Sequence, residues 1–186
     1  LFDITERKRA VEQIKISNAE LSMLFELSHS LAEADNLDDI LNFVNRHAVE
    51  SVHTTFSRIA LLEEGTYTMR SAYPIRPLEH DLRLGDRLSA ASLPFVQGIL
   101  EHNKSMILRA SDPGISNKEK KALLLDFAQA LYIIPLRISD SSLPSEKLMG
   151  LLMLGEARNE GREPFTPEKM RLAQTIGSSA AIAIRR

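Results

Sequence analysis

The sequence predicts an α+β domain: a central antiparallel sheet of five or six strands with helices on its faces, preceded by a long N-terminal helix. Two apolar runs, Leu131–Ile138 and Leu148–Leu154, lack polar alternation, so each is expected to bury both faces at the centre of a sheet. The polar stretch between them is too short for a crossover helix, which makes the pair an antiparallel hairpin. A second pair, Phe56–Glu63 and Thr66–Tyr73, alternates around a turn at Glu64 and Gly65.

Taken in order, the elements begin at Asp3, which has Glu6 three residues on, the spacing of a helix-starting capping box. With Ile4 at position a of a heptad, the a and d positions fall on Ile4, Arg7, Val11, Ile14, Asn18, Leu21, Phe25, Ser28 and Ala32. Asn18 lies at an a position, where one Asn favours a two-stranded coiled coil, although Arg7 and Ser28 interrupt the seam. An ordinary amphipathic helix fits the same residues. From Leu21 onward, Leu24, Leu27 and Leu31 widen the apolar face, which places a boundary near residue 20.

Asn36 can cap a second helix through Leu37, Ile40, Leu41, Val44, Ala48 and Val52. Along the following hairpin, Tyr67, Met69 and Tyr73 are expected on one face, and Pro74 and Pro77 to end it. A short edge strand is expected around His80–Arg87, a helix over Leu93–Glu101, a short strand over Ser105–Arg109 and a turn at Pro113 and Gly114. Ser116, with Glu119 three residues on, caps a helix expected to reach Ala128. The last helix has Thr166 as N-cap, Pro167 at its first position and Glu168 complementing the dipole. It carries two stripes, one through Leu172, Ile176 and Ala183, the other through Met170, Ala173, Gly177, Ala180 and Ile184. Two stripes imply two partners.

Bulk properties narrow the function. With 186 residues and 44% hydrophobic content, one domain with a full core and some extra structure is expected. A net charge of −2 without a basic run lacks the footprint of a nucleic-acid binder. The absence of cysteine removes disulfides, thiolate metal sites and thiol nucleophiles. No apolar run approaches the roughly 18 residues of a membrane span, so no direct membrane contact is expected and a cytoplasmic location is. The chain begins at Leu1, which suggests a piece of a longer protein.

The five histidines, at 29, 47, 53, 80 and 102, form no pair on one helical face, and no metal site is expected. Ser28, His29, Ser30 and Leu31 faintly resemble a phosphoacceptor box, but Ala32 to Asp35 depart from its continuation, and His29 reads as a helix-surface residue. No nucleophile elbow and no phosphate-cradling glycine loop is present, so no catalytic residue is assigned. Tyr73, Arg87, Arg109 and Tyr132 lie at strand ends beside loops, where they could line a ligand pocket, though surface arginines fit as well.

The element order and several phrases resemble a GAF domain, a small-molecule-binding and dimerising module of signalling proteins. Tyr132 to Arg137 is similar to the family's strand ending in Pro, Leu, Arg. Met149 to Gly155, Pro164 to Glu168 and Ala180 to Ile184 resemble its last strand, its final helix start and that helix's exit. Asp3 to Arg7 resembles the end of a PAS domain and its linker. The resemblance thus implies a linker over residues 1–20 after an upstream PAS domain, and a GAF domain over 21–186, as in bacterial sensor histidine kinases and diguanylate cyclases. Without cysteine, covalent bilin and methionine sulfoxide reductase activity are excluded, and Asn117 and Lys118 begin the cyclic-nucleotide signature without completing it.

The expectation is a non-catalytic regulatory module, a homodimer binding an unknown small molecule and passing its state to a downstream output domain. Dimer contacts are expected from Val11, Ile14, Asn18 and Leu21 on the first helix and from Ala173, Gly177, Ala180 and Ile184 on the last. The alternative is a ligand-free dimerisation relay, which requires a well-packed interior in place of a cavity.

Overall fold

Apolar runs hold the centre of the sheet and capped helices cover it. A computed structural model describes residues 2–33, 36–74, 84–102, 104–139, 146–158, 161 and 163–185. Two compact units divide at Ala34 and Asp35. The first is one helix, α1 (Phe2–Glu33), which runs without a break past residue 20. Its heptad residues Ile4, Val11, Ile14, Leu21 and Phe25 are all exposed.

The second unit contains α2 (Leu37–Val52), β1 (Phe56–Glu63), β2 (Thr66–Tyr73), β3 (Arg87–Ser89), a 3₁₀ turn (Ala90–Ser92), α3 (Pro94–Glu101), β4 (Met106–Arg109), α4 (Asn117–Ala122), β5 (Ala130–Ile138), β6 (Lys147–Glu156) and α5 (Pro167–Ile184). Its six strands lie in the order β3-β2-β1-β6-β5-β4, each pair antiparallel. The central pair is thus β1 and β6. Of the two runs expected there, β6 is central and β5 lies one strand off, with β4 outside it.

The caps follow the sequence. Asn36 accepts from the Asp39 N–H at 2.9 Å, and Thr166 accepts from that of Lys169, with Pro167 at the first position of α5. Each such cap is worth about 1 kcal/mol. The β1–β2 turn has positive φ at both Glu64 and Gly65, the geometry of a tight hairpin turn.

One face of the sheet carries α2 and α5. There α2 buries Ile40, Leu41, Val44, Ala48 and Val52, and α5 buries Ala173, Ile176, Gly177 and Ala180. A Cβ on Gly177 would lie 2.9 Å from Ile134 Cγ2, so glycine lets α5 sit close against β5. The opposite face holds a continuous cluster that includes Phe56, Met69, Val96, Leu100, Leu108, Leu125, Leu131 and Met153. Phe56 pairs with Gly155 across the strands, and its ring occupies the space that a Cβ there would need.

Two expectations are corrected here. The β1–β2 register shifts between Ile59 and Ala60: Ile59 faces Ser71 while Ala60 faces Met69, leaving Arg70 as the extra residue of a bulge. One extra residue reverses the alternation, so Tyr73, opposite Ser57, shares the α2 face and not that of Tyr67 and Met69. The helix expected over Ser116–Ala128 ends at Ala122, because Leu124 takes a positive φ of 57°. The Leu125 N–H then bonds back to the Lys120 carbonyl at 2.8 Å and closes the turn.

Candidate functional site

β5 presents alternate side chains to the α5 face, and Tyr132 is the largest of them. It is 1% exposed and packs against Phe165, with ring centroids 5.5 Å apart. A phenol buried this deeply needs partners. Its hydroxyl donates to Ser105 Oγ at 2.8 Å and accepts from Gln174 Nε2 at 2.9 Å, while the same Nε2 donates to Ser105 Oγ at 2.8 Å. The α3–β4 connection, β5 and α5 are thereby tied at one point.

Above that triangle lies a solvent-open cleft of ≈570 Å³, lined by Lys104, Ser105, Ile134, Pro135, Arg137, Glu146, Gln174 and Ser178. Arg137 is held in place by donating from Nη2 to the Leu100 carbonyl, 2.7 Å away. That carbonyl belongs to the last turn of α3, where a cation complements the helix dipole. Glu119 acts at the other end of α3: its Oε1 accepts from the Phe95 N–H at 2.8 Å and from that of Val96 at 3.4 Å. Ser116 Oγ does cap α4 by accepting from the Glu119 N–H, but the Glu119 carboxylate serves α3 and not the return bond of a capping box.

The four residues expected to line a pocket do not converge. Tyr73 and Arg87 lie on β2 and β3, at one side of the sheet, and Arg109 and Tyr132 on β4 and β5, at the other. Arg87 is exposed. Arg109 pairs with Glu163 at 2.6 Å in an exposed salt bridge, an arrangement generally worth under about 1 kcal/mol. Only Tyr132 reaches the cleft's polar triangle. Ser105, Arg137 and Gln174 are not among the residues expected at a site, and their signal is weak: Arg137 ends an apolar strand, and Gln174 is a polar residue between the stripes of α5.

Ala173, Gly177 and Ala180 are buried within their own domain, and Ile184 is half-buried. The outward residues of α5 are Arg171, Gln174, Ser178 and Ile182. On α1, Val11, Ile14, Asn18 and Leu21 are all exposed.

Two further polar clusters lie elsewhere. Asn45, Ser57 and Ser71 are fully buried between α2 and the β1–β2 pair. Ser57 Oγ donates to Asn45 Oδ1, Asn45 Nδ2 donates to Ser71 Oγ at 2.8 Å, and Ser71 Oγ donates to Asn42 Oδ1 at 2.7 Å. At the end of β6, Glu156 accepts from the Thr55 hydroxyl and from the backbone and side chain of Arg158. Burial alone would raise its pKa. The hydrogen bonds from Arg158 and Thr55, with the Arg158 charge, outweigh burial and hold it at about 2. Among the described residues no group of three potential ligands could hold a metal ion, and no helix is long and apolar enough to cross a membrane.

No protein-family model matches the sequence, and no curated protein is significantly similar to it. Solved structures do resemble the fold. The phycocyanobilin-bound GAF domain of a cyanobacterial phytochrome superposes with a TM-score of 0.68 at 17% identity, covering 89% of this chain and 93% of that one. The GAF domain of a phosphoenolpyruvate-protein phosphotransferase from Coxiella burnetii gives 0.67 at 17% identity, covering 89% and 92%. That of a two-component sensor histidine kinase from Bacillus halodurans gives 0.62 at 18% identity, covering 82% and 95%. The chain has the GAF fold.

Proposed function

We propose that this chain is a non-catalytic, cytoplasmic sensory module of a signalling protein, binding a small molecule in the cleft beside β5 and relaying occupancy through its terminal helices. The observation that carries the reading is that α5 itself supplies Gln174 and Ser178 to the cleft wall. A ligand signals only if it binds two arrangements unequally, and a ligand touching α5 bears directly on a helix at the end of the domain. The exposed apolar residues of α1 suit a second copy, giving a dimer with α1 as the shared seam. In the parent protein the module would lie between an upstream PAS domain, joined through residues 1–20, and an output domain such as a histidine kinase or diguanylate cyclase.

A ligand-free relay is the second reading, and one observation favours it. The described residues between the sheet and the α3–α4 side form a continuous apolar cluster. Native mass spectrometry of the purified chain, compared with its denatured mass, separates the two. A dimer carrying extra mass that leaves on denaturation supports the sensor. A bare dimer without a thermal shift in a metabolite library supports the relay, and a monomer overturns the α1 seam.

A further inference from the structure

We propose that the cleft binds a small hydroxylated oxyanion, its carboxylate or phosphate group held between Lys104 and Arg137 and hydrogen-bonded by Ser105. The argument is one of unused valences. Ser105 Oγ accepts from both Tyr132 and Gln174, so its own proton is left to donate. Gln174 spends its amide nitrogen on Tyr132 and Ser105, which leaves its carbonyl oxygen as an acceptor for a ligand hydroxyl. Both groups line the cleft.

Charge selects the ligand's sign. Among the described residues that line the cleft there are two cations, Lys104 and Arg137, and one carboxylate, Glu146, a net positive lining although the whole chain carries −2. Lys104 has no side-chain partner among the described residues. Arg137 is fixed on the Leu100 carbonyl. Ser105 and Gln174 are set in place by the 1%-exposed Tyr132. Three polar groups that need no rearrangement lower the ordering cost of binding, and charge-assisted bonds to an oxyanion are the strong kind. The ≈570 Å³ volume admits a ligand well beyond a bare inorganic ion.

The site deepens the sensor reading and fails separately from it. The test is an NMR titration of the 186-residue chain with inorganic phosphate and with tartrate, against chloride at matched ionic strength. Saturable shifts of the Gln174 side-chain amide and the Ser105 backbone amide are expected with phosphate, tartrate or both, which tells a phosphate source from a carboxylate one. Affinity should fall about tenfold in Lys104→Ala. It should be lost in Ser178→Trp, which fills the cleft from the outer face of α5 while the remaining spectrum stays folded. Shifts equal to those with chloride, or undiminished in Ser178→Trp, overturn the site. Binding whose shifts stay confined to the cleft residues, with no response in α1 or in the rest of α5, supports the site and overturns the sensor reading.

Discussion

Two polar clusters lie on the same face of the sheet, and they differ in what they leave over. Under α2, the Asn45–Ser57–Ser71 cluster is fully buried, and each hydroxyl proton, the Asn45 side-chain oxygen and one of its N–H groups are committed to a neighbour, with exposed Asn42 at its end. Under α5, the Tyr132–Ser105–Gln174 triangle is equally well formed but stands at the edge of a cleft with one donor and one acceptor unspent. A closed network can only specify packing. An open one specifies packing and offers a site.

The largest effect belongs to the closed cluster. Asn45→Ala strands the Ser57 hydroxyl in a place water does not reach and leaves Ser71 only its bond to Asn42, and should cost about 3 kcal/mol in urea unfolding. Replacing Ser57 and Ser71 by Ala as well should recover part of that loss, since no polar group is then left unpaired. If Asn45→Ala unfolds like the unaltered chain, the distinction between closed and open clusters is lost.

Glu156 gives a third kind of buried polar group, one whose commitment is ionic. Its carboxyl is held at about 2 against an ordinary 4.5, so the folded chain binds its proton more weakly than the unfolded chain does. The stabilisation is complete above about 4.5 and is lost as pH falls toward 2. Discounted for a half-exposed Arg158, it amounts to about 1–2 kcal/mol. Urea unfolding at neutral pH should show that loss in Glu156→Gln. The gap between variant and parent should then close on acidification, and a constant gap would remove the ionic account.

How far these clusters were legible in the sequence depends on whether the signal was local. Caps at Asn36 and Thr166 and the turn at Glu64 and Gly65 depend on adjacent residues, and they read correctly. The bulge at Arg70 did not, because Tyr67, Met69, Ser71 and Tyr73 alternate on paper whether or not one residue is extra; only the partner strand reveals the shift. Asn45 had a signal, since it lies four residues after Leu41 in the buried stripe of α2. The small residues of α5 are ambiguous in principle, because a close approach to a neighbouring helix and a close approach to one's own sheet demand the same side chains. Glu119 was read from its distance to Ser116, whereas its carboxylate answers to α3, an element 24 residues upstream at Phe95.

Gly177, on α5 and packed against β5, tests that ambiguity directly. Gly177→Ala gains about 1 kcal/mol of helix propensity but places a methyl 2.9 Å from the stiff, β-branched Ile134, an overpacking that costs about 1–3 kcal/mol. The net expectation is a loss of about 1 kcal/mol in thermal or urea unfolding at any protein concentration. A loss that appears only where subunits associate would restore Gly177 to a dimer seam.

The smallest effect on stability is expected at the open cluster. Gln174→Leu removes both bonds from the amide, yet Tyr132 still donates to Ser105, so the buried phenol keeps a partner. Gln174 itself is exposed, which spares the variant the cost of burying an unpaired group. Its midpoint in urea should therefore stay within about 0.5 kcal/mol of the parent. Binding should behave differently, because the ligand's hydroxyl loses its acceptor and Ser105 loses one of the two bonds that orient it. Tartrate affinity, followed at the Ser105 backbone amide, should drop about tenfold where stability hardly moves. A variant that loses stability as Asn45→Ala does would show that the two clusters do the same structural work. One that keeps both stability and affinity would place the oxyanion elsewhere.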